Sequence, residues 1–440
     1  MRWLEPDVPF DPRRVPFFYG WVVVVVSTVG VLMSIPGQTM GVSVFTDPLL
    51  GATGLSRLSL SNAYLAGTLT SGLLLPRGGR ILDRFGARAT ALGAVAGLAA
   101  TLAVLSSVDR IAAAVGGLLP AMAAGVVTWA TLALGFTALR FSGQGMLTMV
   151  SRTMLGKWFE RRRGLTSAIS GVFVAFGFAS APLVLDAWIE AAGWRGAWRG
   201  MAVAVALGMG AVGWLFFRDN PEACGLRMDG RSPVDGEDDG PPEPSSTRAE
   251  ALSTPAFWSV ALALAVQGMV ITGFTFHVVA IGAEAGLDRD DAVAVFLPIA
   301  VCSTITGTIV GWAADRTRIR SLVFVMLAAE LVGYGGATQL AHPVGYALAV
   351  LGVGVAGGFF GPLASVALPR FFGRLHLGAI AGVQTMLLVI GSALGPSALA
   401  ASEALTGSFR PGLFGCLALP LLVLGVTWVS DHPRDRPPVR

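Results

Sequence analysis

Twelve apolar segments of about twenty residues follow one another along this chain, and each is long enough for a helix to cross a bilayer. Inside hydrocarbon, a helix is one of only two structures that satisfy their own backbone groups. The chain is 54% hydrophobic and 13% charged, whereas a soluble domain carries roughly 25% charge. We therefore predict an all-α polytopic membrane protein with twelve transmembrane helices. In chain order, predicted spans 1 to 12 are 17–45, 58–76, 88–108, 125–150, 164–185, 199–217, 256–280, 292–313, 321–340, 344–368, 378–400 and 411–430.

The basic residues between these spans are unevenly distributed. Twenty-four fall on the side of the N-terminus and six on the other side, while Arg140 lies within span 4. Cytoplasmic loops carry the excess of lysine and arginine. We therefore expect a multi-pass protein of the cell (cytoplasmic or inner) membrane with both termini in the cytoplasm.

The longest polar segment, residues 218–254, lies between six spans and six spans. Its part from Asp229 to Thr247 is rich in Pro, Gly, Ser and acidic residues, a composition too polar to pack, so we predict a flexible linker there. The predicted organisation is a cytoplasmic tail (1–16), a six-helix bundle (17–217), a cytoplasmic linker (218–254), a second six-helix bundle (255–430) and a cytoplasmic tail (431–440).

Several function classes are disfavoured by composition. The three cysteines and four histidines lack metal-ligand spacing, so we expect no metal and no cofactor. No Ser–His, His–Glu or Asp–Asp pair occurs at helical spacing within a span, which argues against an intramembrane enzyme. The net charge of +4 comes from arginines in loops. Without a clustered basic face, nucleic acid is not an expected partner.

A short charged motif joins spans 2 and 3. It reads Gly-Arg-Ile-Leu-Asp-Arg-Phe-Gly-Ala-Arg over Gly79–Arg88, and its charges require a loop at one membrane face. A degenerate copy, Gly311–Arg316, follows span 8. Two copies in matching places indicate an internal repeat, as in transporters built from two halves.

This motif resembles the signature loop of the major facilitator superfamily. Segments elsewhere resemble its monocarboxylate and oxalate–formate branch, and the resemblance covers about residues 17–430: Tyr19–Val23, Gly41–Phe45, Lys157–Gly164, Asp219–Leu226, Thr254–Trp258 and Pro369–Arg374. It implies two pseudo-symmetric bundles that work by rocker-switch alternating access. It also implies that the signature residues gate the inner side: Gly79, Asp83, Arg84, Gly86, Arg88, Asp315 and Arg316.

The two halves differ in length between matching landmarks. Asp83 to Phe159 is 76 residues, whereas Asp315 to Phe372 is 57, so the first half carries 19 additional residues. We place them near 109–125 on the outer side, as a helix lying in or on the membrane. A thirteenth span would invert every later segment and spoil the distribution of basic residues.

Arg140 is the strongest candidate for a binding residue. A guanidinium about 15 Å from the end of a span costs at least ~2.5 kcal/mol unless it faces water or a partner. Helical spacing places it on a polar stripe with Trp129, Gln144, Thr148 and Ser151. The motif Arg140–Gly145 also resembles a facilitator motif whose arginine often makes backbone or gating contacts. Anion contact and a structural role are both open.

Other spans offer weaker candidates. Ser34 and Gln38 flank the helix-breaking pair Pro36–Gly37 in span 1, and Tyr64 belongs to a polar face of span 2. Each has an alternative role in helix packing, as do His277 in span 7, the costly acid Glu330 in span 9 and Gln384 in span 11. The predicted substrate-binding set is Arg140, Gln144, Trp129, Gln38, Tyr64, His277 and Gln384.

The predicted function is secondary transport of a small organic anion that resembles a monocarboxylate, with proton symport as an open possibility. Spans 8 and 11 lack the charged residue typical of the resembling branch, which favours an anion of single charge, or a bulkier and more apolar one. The alternative is a proton-driven exporter of amphipathic drugs, with Glu330, Asp47 or His277 as its proton carrier. Expected partners are the substrate, protons and the lipid bilayer, and we expect a monomer.

Overall fold

The computed structural model describes residues 5–116, 124–230 and 245–435, and every regular element in these ranges is a helix. Ten helices within them are long and apolar enough to span a membrane. Two of the ten are 48 and 54 residues long, or roughly 70–80 Å, more than twice the ~30 Å hydrocarbon core. Each of these two therefore comprises two spans. The predicted all-α polytopic fold is confirmed.

The helix limits lie close to the predicted spans. In the first part of the chain the α-helices are α1 (Gly20–Leu32), α2 (Thr39–Ser43), α3 (Thr46–Thr53), α4 (Arg57–Leu105), α5 (Val108–Gly116), α6 (Ala124–Arg140), α7 (Thr148–Trp158), α8 (Arg163–Val203) and α9 (Gly210–Phe216). The later ones are α10 (Arg248–Leu252), α11 (Pro255–Glu284), α12 (Arg289–Ala294), α13 (Phe296–Ala314), α14 (Ile319–Ala337), α15 (Pro343–Phe372), α16 (Leu377–Thr406) and α17 (Arg410–Trp428). Two π-helical segments, Phe141–Leu147 and Ala204–Met209, connect α6 to α7 and α8 to α9.

Single glycines break the two longest helices. Gly86 within α4 has φ 77° and ψ 172°, and Gly193 within α8 has φ 68° and ψ 162°. Only a residue without a Cβ adopts these angles at little cost. The loop predicted over Gly79–Arg88 was too long, because helical geometry continues to Phe85 and one glycine suffices for the turn.

The chain divides into two compact units. The first comprises residues 1–154 and 176–230, and the second comprises residues 155–175 and 231–440. The predicted bundle limits, 17–217 and 255–430, remain predictions, as does the linker 218–254, of which residues 231–244 lie outside the described ranges. Of the additional segment near 109–125, residues 109–116 belong to α5, residues 124 and 125 begin α6, and residues 117–123 lie outside the described ranges.

Small residues let the helices of the second unit pack closely. Helix α11 packs against α16, and α15 packs against both α13 and α14. A Cβ on Gly358 of α15 would lie 2.8 Å from the backbone nitrogen of Gly307, and one on Gly273 of α11 would lie 2.9 Å from the backbone of Gly395. Such close approach gains dispersion energy, which drives helix association where lipid removes the hydrophobic effect.

Candidate functional site

A break in the first transmembrane segment forms one wall of the site. Helix α1 ends at Leu32, a short 3-10 turn covers Ile35–Gly37, and α2 begins at Thr39. Pro36 lacks an amide hydrogen, so the regular ladder of helical hydrogen bonds stops there. The break leaves the carbonyl of Gly37 available to a side chain from another helix.

The facing wall is the π-helical segment Phe141–Leu147. A Cβ on Gly37 would lie 2.7 Å from the carbonyl oxygen of Leu139 and 2.8 Å from Cα of Gly143. The two backbones therefore meet without intervening side chains. A π-helical insertion changes which residues face this contact, and such insertions occur often at functional sites.

Arg140 lies between these two walls and is 1% exposed. Its Nη1 donates to the carbonyl of Gly37 and to Oγ1 of Thr39, both at 3.2 Å. The guanidinium carbon lies 5.2 Å from the ring centroid of Tyr64, a cation–π geometry. Its Nε is buried without a hydrogen-bond partner. The arginine is thus held in place with one of its donors still unused.

Tyr64 and Thr39 complete the support of the arginine. The Tyr64 hydroxyl donates to Oγ1 of Thr39 at 3.1 Å, and its ring packs edge-on against Phe136 with centroids 5.4 Å apart. These contacts fix the ring over which the guanidinium lies. The Thr39 hydroxyl therefore links the tyrosine to the arginine.

Gln38 and Gln144 add amide groups to the same region. Gln38 Nε2 donates to Oγ of Ser34 at 2.9 Å and to Oγ1 of Thr148 at 3.3 Å, and the Thr148 hydroxyl donates to Ser34 at 3.0 Å. Gln144 Oε1, by contrast, is enclosed and has no partner. An unused donor, Nε of Arg140, and an unused acceptor, Oε1 of Gln144, thus belong to the same short stretch of chain.

The charge of Arg140 is uncompensated within the part of the chain that the structure describes. Neither the Arg13–Asp11 pair nor the Arg195–Asp109 pair involves Arg140, and the titratable group that interacts with its guanidinium is Tyr64. Carbonyl, hydroxyl and ring dipoles reduce the cost of the buried cation but do not neutralise it. An anion that reached the guanidinium would supply the missing charge and accept from the unused donor.

The remaining predicted binding residues lie elsewhere. Trp129 is partly exposed on α6, about 16 Å along the helix axis from Arg140. His277 belongs to the second unit, where its Nε2 lies 2.9 Å from the carbonyl of Pro396 and its ring lies 5.1 Å from that of Phe409. Gln384, also in the second unit, is buried with no partner for Nε2.

The signature residues of the first unit surround the break at Gly86. Arg88 is buried, and it donates from Nε to the carbonyl of Phe217 at 3.0 Å and from Nη1 to that of Glu5 at 2.9 Å. Arg84 is exposed, with its guanidinium 5.2 Å from the ring of Phe85. Gly79 is buried and Asp83 is half-buried within α4.

The second signature copy contacts the beginning of α8. Asp315 accepts hydrogen bonds from the amides of Gly164 at 2.7 Å and Leu165 at 3.2 Å. These amides belong to the first turn of a helix, where the macrodipole favours a carboxylate. Burial nevertheless raises the pKa of Asp315 to about 6. Arg316 is exposed and bonds to the carbonyl of Trp312 at 2.9 Å.

The prediction missed one residue of this site, Thr39, and it missed Tyr334 of a separate polar pair in the second unit. Thr39 lies directly after the break, so helical spacing along span 1 does not identify it. Its hydroxyl links Tyr64 to Arg140, and only the structure shows this. Tyr334 in α14 donates to Oε1 of Gln267 at 2.9 Å. The sequence contained a signal for this second pair, since both residues are polar within predicted spans.

Within the described residues no cluster of three or more His, Cys, Asp or Glu side chains has the geometry of a metal site. The helical fold and the enclosed polar site are those of a membrane transporter. The family model of the Major Facilitator Superfamily matches residues 26–396, and the chain belongs to that superfamily. It is therefore a multi-pass secondary transporter of small molecules and not an enzyme.

Solved structures with the same fold include three transporters. The human organic anion transporter MFSD10 (TETRAN) is 14% identical, with a TM-score of 0.61 and coverage of 93% of this chain and 99% of that one. The proton:xylose symporter XylE, bound to 6-bromo-6-deoxy-D-glucose, is 14% identical, with a TM-score of 0.67 and coverage of 95% and 97%. The E. coli fucose:proton symporter FucP is 12% identical, with a TM-score of 0.60 and coverage of 94% and 99%. At these identities the likeness shows the fold alone. No curated protein sequence matches the chain significantly.

Proposed function

We propose that this transporter moves a small organic anion, of the monocarboxylate type, across the cytoplasmic membrane. The observation that carries the proposal is the buried guanidinium of Arg140, which no acidic side chain among the described residues neutralises. A neutral substrate such as a sugar would leave that charge uncompensated. A carboxylate would neutralise it and accept its free Nε donor.

The absence of charged residues from most of two helices in the second unit favours a substrate with a single negative charge. Helix α13 carries no charged residue, and neither does α16 between Leu377 and Ala400. A dicarboxylate would bring a second charge into a low-dielectric region without a second cation, which is costly. The Tyr64 ring and the nearby Phe136 suit an apolar substituent on the acid. The buried, unpartnered Oε1 of Gln144 supplies an acceptor for a neighbouring hydroxyl group.

The three transporters of the same fold do not identify the substrate of this chain. One is named as an organic anion transporter, whereas two are sugar symporters. The organic anion transporter supports an anionic substrate, and the two proton symporters support coupling to protons. The monocarboxylate and oxalate–formate branch remains the subgroup that we propose, on the motif resemblances given above.

Transport by rocker-switch alternating access requires a contact that forms and breaks. The bonds between Asp315 and the first turn of α8 are suited to that role, since two hydrogen bonds and a partly buried carboxyl are lost or gained together. We assign the same gating role to the other signature residues, which are Gly79, Asp83, Arg84, Gly86, Arg88 and Arg316. We also propose a monomer with two six-helix bundles and both termini in the cytoplasm.

The experiment is uptake of radiolabelled lactate, pyruvate and benzoate into proteoliposomes, with and without an inward proton gradient. Wild type should show saturable uptake of at least one acid. Arg140→Ala should lower the rate about 100-fold, since it removes a hydrogen-bonded charge worth about 1.5–3 kcal/mol. Arg110→Ala is the control, because that arginine is exposed on α5. Uptake by wild type equal to that of empty liposomes for every acid would reject the proposal.

A proton-driven exporter of amphipathic drugs is the second candidate. The buried acid Glu330 favours it, because such a group can carry the coupling proton. Inverted vesicles incubated with a fluorescent cationic dye in the outer medium distinguish the two functions. Proton-driven accumulation of the dye, with no uptake of acids, would favour the exporter.

A further inference from the structure

The segment Glu5–Phe10, which we call the N-terminal strap, is bound to the end of α9 by a buried arginine. Arg218 lies two residues after that helix and is 2% exposed. Its Nε donates to the carbonyl of Pro6 at 2.6 Å, and its Nη2 donates to those of Val8 and Phe10, both at 3.2 Å. A single guanidinium thus binds three carbonyls of a segment more than two hundred positions away in the sequence.

Aromatic rings anchor the strap at Phe10. The centroid of its ring lies 6.1 Å from that of Tyr19 and 6.0 Å from that of Phe216. The guanidinium carbon of Arg218 lies 5.2 Å from the Phe10 centroid, a cation–π geometry. The Tyr19 hydroxyl donates to the carbonyl of Phe216 at 2.8 Å, which fixes the ring beside Phe10. Removal of the Phe10 ring would therefore loosen the strap and leave its carbonyls in the chain.

The residues on either side of Arg218 bind the break in α4. The carbonyl of Phe217 accepts from Nη1 of Arg218 and from Nε of Arg88, both at 3.0 Å. The carboxylate of Asp219 accepts from the amide of Ala87 at 3.0 Å. Three consecutive residues therefore connect the strap on one side to the break on the other.

Arg88 also contacts the strap directly. Its Nη1 donates to the carbonyl of Glu5 at 2.9 Å, whereas its Nη2 is buried without a hydrogen-bond partner. Release of the strap would leave a further buried donor of the same guanidinium without an acceptor, which is costly. The strap and the break in α4 thus stabilise each other. All these residues belong to the first unit, so the contact is a property of that unit alone.

We propose that the N-terminal strap preorganises the break in α4 for gating, with Arg218 as the positioning residue. This step rests on the gating role proposed above for the signature residues. A contact that forms repeatedly forms fastest when its groups already have the required orientation. With the strap bound, Arg88 and its neighbours keep one geometry. With the strap released, they lose it, and the maximal rate of alternation falls although the Arg140 site is untouched.

Hydrogen exchange at the Ala87 amide tests the strap without any substrate. Phe10→Ala removes the anchoring ring. Ala87 should then exchange about three- to tenfold faster than in wild type, while amides of α11 in the second unit keep their rates. Phe17→Ala is the matched control, because that ring is 55% exposed, and it should leave Ala87 unchanged. Unchanged exchange of Ala87 in Phe10→Ala, or an equal acceleration in α11, would overturn the proposal.

Exchange of labelled for unlabelled acid across the liposome membrane tests the consequence for gating. Phe10→Ala should lower the maximal rate about three- to tenfold and leave KM unchanged, because the strap does not contact Arg140. Phe17→Ala should behave as wild type. An unchanged maximal rate in Phe10→Ala would overturn the gating role. A wild type that exchanges no acid, with Ala87 still responding to Phe10→Ala, would retain the strap and reject only the proposed substrate.

A second substitution shows whether the strap acts through Arg218. Arg218→Lys keeps the positive charge but loses the planar fork that binds several carbonyls at once. It should reduce the maximal rate at least as much as Phe10→Ala does. The double variant should be no slower than Arg218→Lys alone, since both changes remove the same contact. Wild-type rates in Arg218→Lys, or losses that add in the double variant, would contradict the positioning role of Arg218.

Discussion

Helices α1 and α11 open the two halves of the predicted internal repeat, and they differ in continuity. In the first unit the segment is interrupted at Ile35–Gly37, and Arg140 bonds to the interruption. In the second unit α11 runs unbroken over Pro255–Glu284. Helix α15 carries no charged residue before Arg370, and an acid, Glu330, is buried in the middle of α14.

This difference indicates that the repeat preserves the order of its segments better than their chemistry. Both halves carry a signature copy directly after their second span, at Gly79–Arg88 and at Gly311–Arg316. The ionisable side chains singled out in mid-span, by contrast, differ in type: the first unit has a base, Arg140, and the second has an acid, Glu330. An interrupted helix offers carbonyls to a cation, whereas a continuous helix satisfies its own carbonyls and leaves none for one. The cation therefore lies beside the broken helix.

The largest effect is expected from a side chain added at the interruption of the first segment. In Gly37→Ala the added methyl would lie less than 3 Å from backbone atoms of Leu139, Gly143 and Gln144. Backbone cannot move aside as a side chain can, so we expect a loss of about 1–3 kcal/mol in stability and nearly complete loss of transport. Thermal unfolding in detergent and proteoliposome uptake measure both effects.

Gly51→Ala is the matched control. Gly51 lies in α3 with open space around its Cα, and alanine is the better helix former. Its unfolding temperature should equal or exceed that of wild type. Equal behaviour of the two variants would mean that the close contact at the interruption does not matter.

A smaller effect is expected from pH at the second signature copy. A pKa raised to about 6 means that docked Asp315 binds a proton more tightly than a free carboxyl with its ordinary value of 3.8. The contact therefore gains stability as pH falls through 6 and is weakest above it. We expect the Gly164 amide, corrected for intrinsic rates, to exchange about fivefold more slowly near pH 5 than near pH 7.5, after discount for solvent exposure.

Asp315→Asn removes the titration and keeps an oxygen acceptor. Its exchange profile should be flat across this range, whereas Asp431→Asn, at an exposed position, should retain the wild-type profile. A pH dependence that persists in Asp315→Asn would assign the effect to another group.

We expect the smallest effect on transport from a change at Tyr64, whose ring lies under the guanidinium of Arg140. Tyr64→Phe removes the hydroxyl bonded to Thr39 but keeps the ring under the guanidinium. The loss of one neutral hydrogen bond, worth about 0.5–1.5 kcal/mol, predicts a three- to tenfold lower apparent affinity. Concentration-dependent uptake measures it, with Tyr346→Phe in α15 as the control. A larger loss than that of Arg140→Ala would make the tyrosine, and not the arginine, the main contact.

The sequence was sufficient to predict the spans because each is a long and strongly apolar segment. It was not sufficient to predict that the turn between spans 2 and 3 is made by a single residue, Gly86. At Gly86 the signature motif contains charges on both sides, so a longer turn was the natural interpretation. The φ and ψ of one residue decide the matter, and they depend on contacts such as that of Asp219 with the amide of Ala87, at 3.0 Å.

The candidate site was predictable only in part. Helical spacing predicted that Arg140 and Gln144 lie on one face of span 4. The helix breaker Pro36 predicted that the neighbouring Gln38 lines a binding site. The contact between Gly37 and Gly143 is long-range, and the π-helical segment shifts the face that spacing alone assigns. The partners of Arg140 are therefore a property of the packed structure.

Binding of an acid and of its amide shows whether Arg140 receives the substrate anion. The purified protein is titrated calorimetrically with lactate and lactamide, and with benzoate and benzamide, in wild type and in Arg140→Gln. If Arg140 receives the substrate anion, the acid binds wild type about 10- to 100-fold more tightly than its amide, and the preference disappears in Arg140→Gln. A preference for the acid that survives intact in Arg140→Gln would contradict the claim and locate the anion site elsewhere.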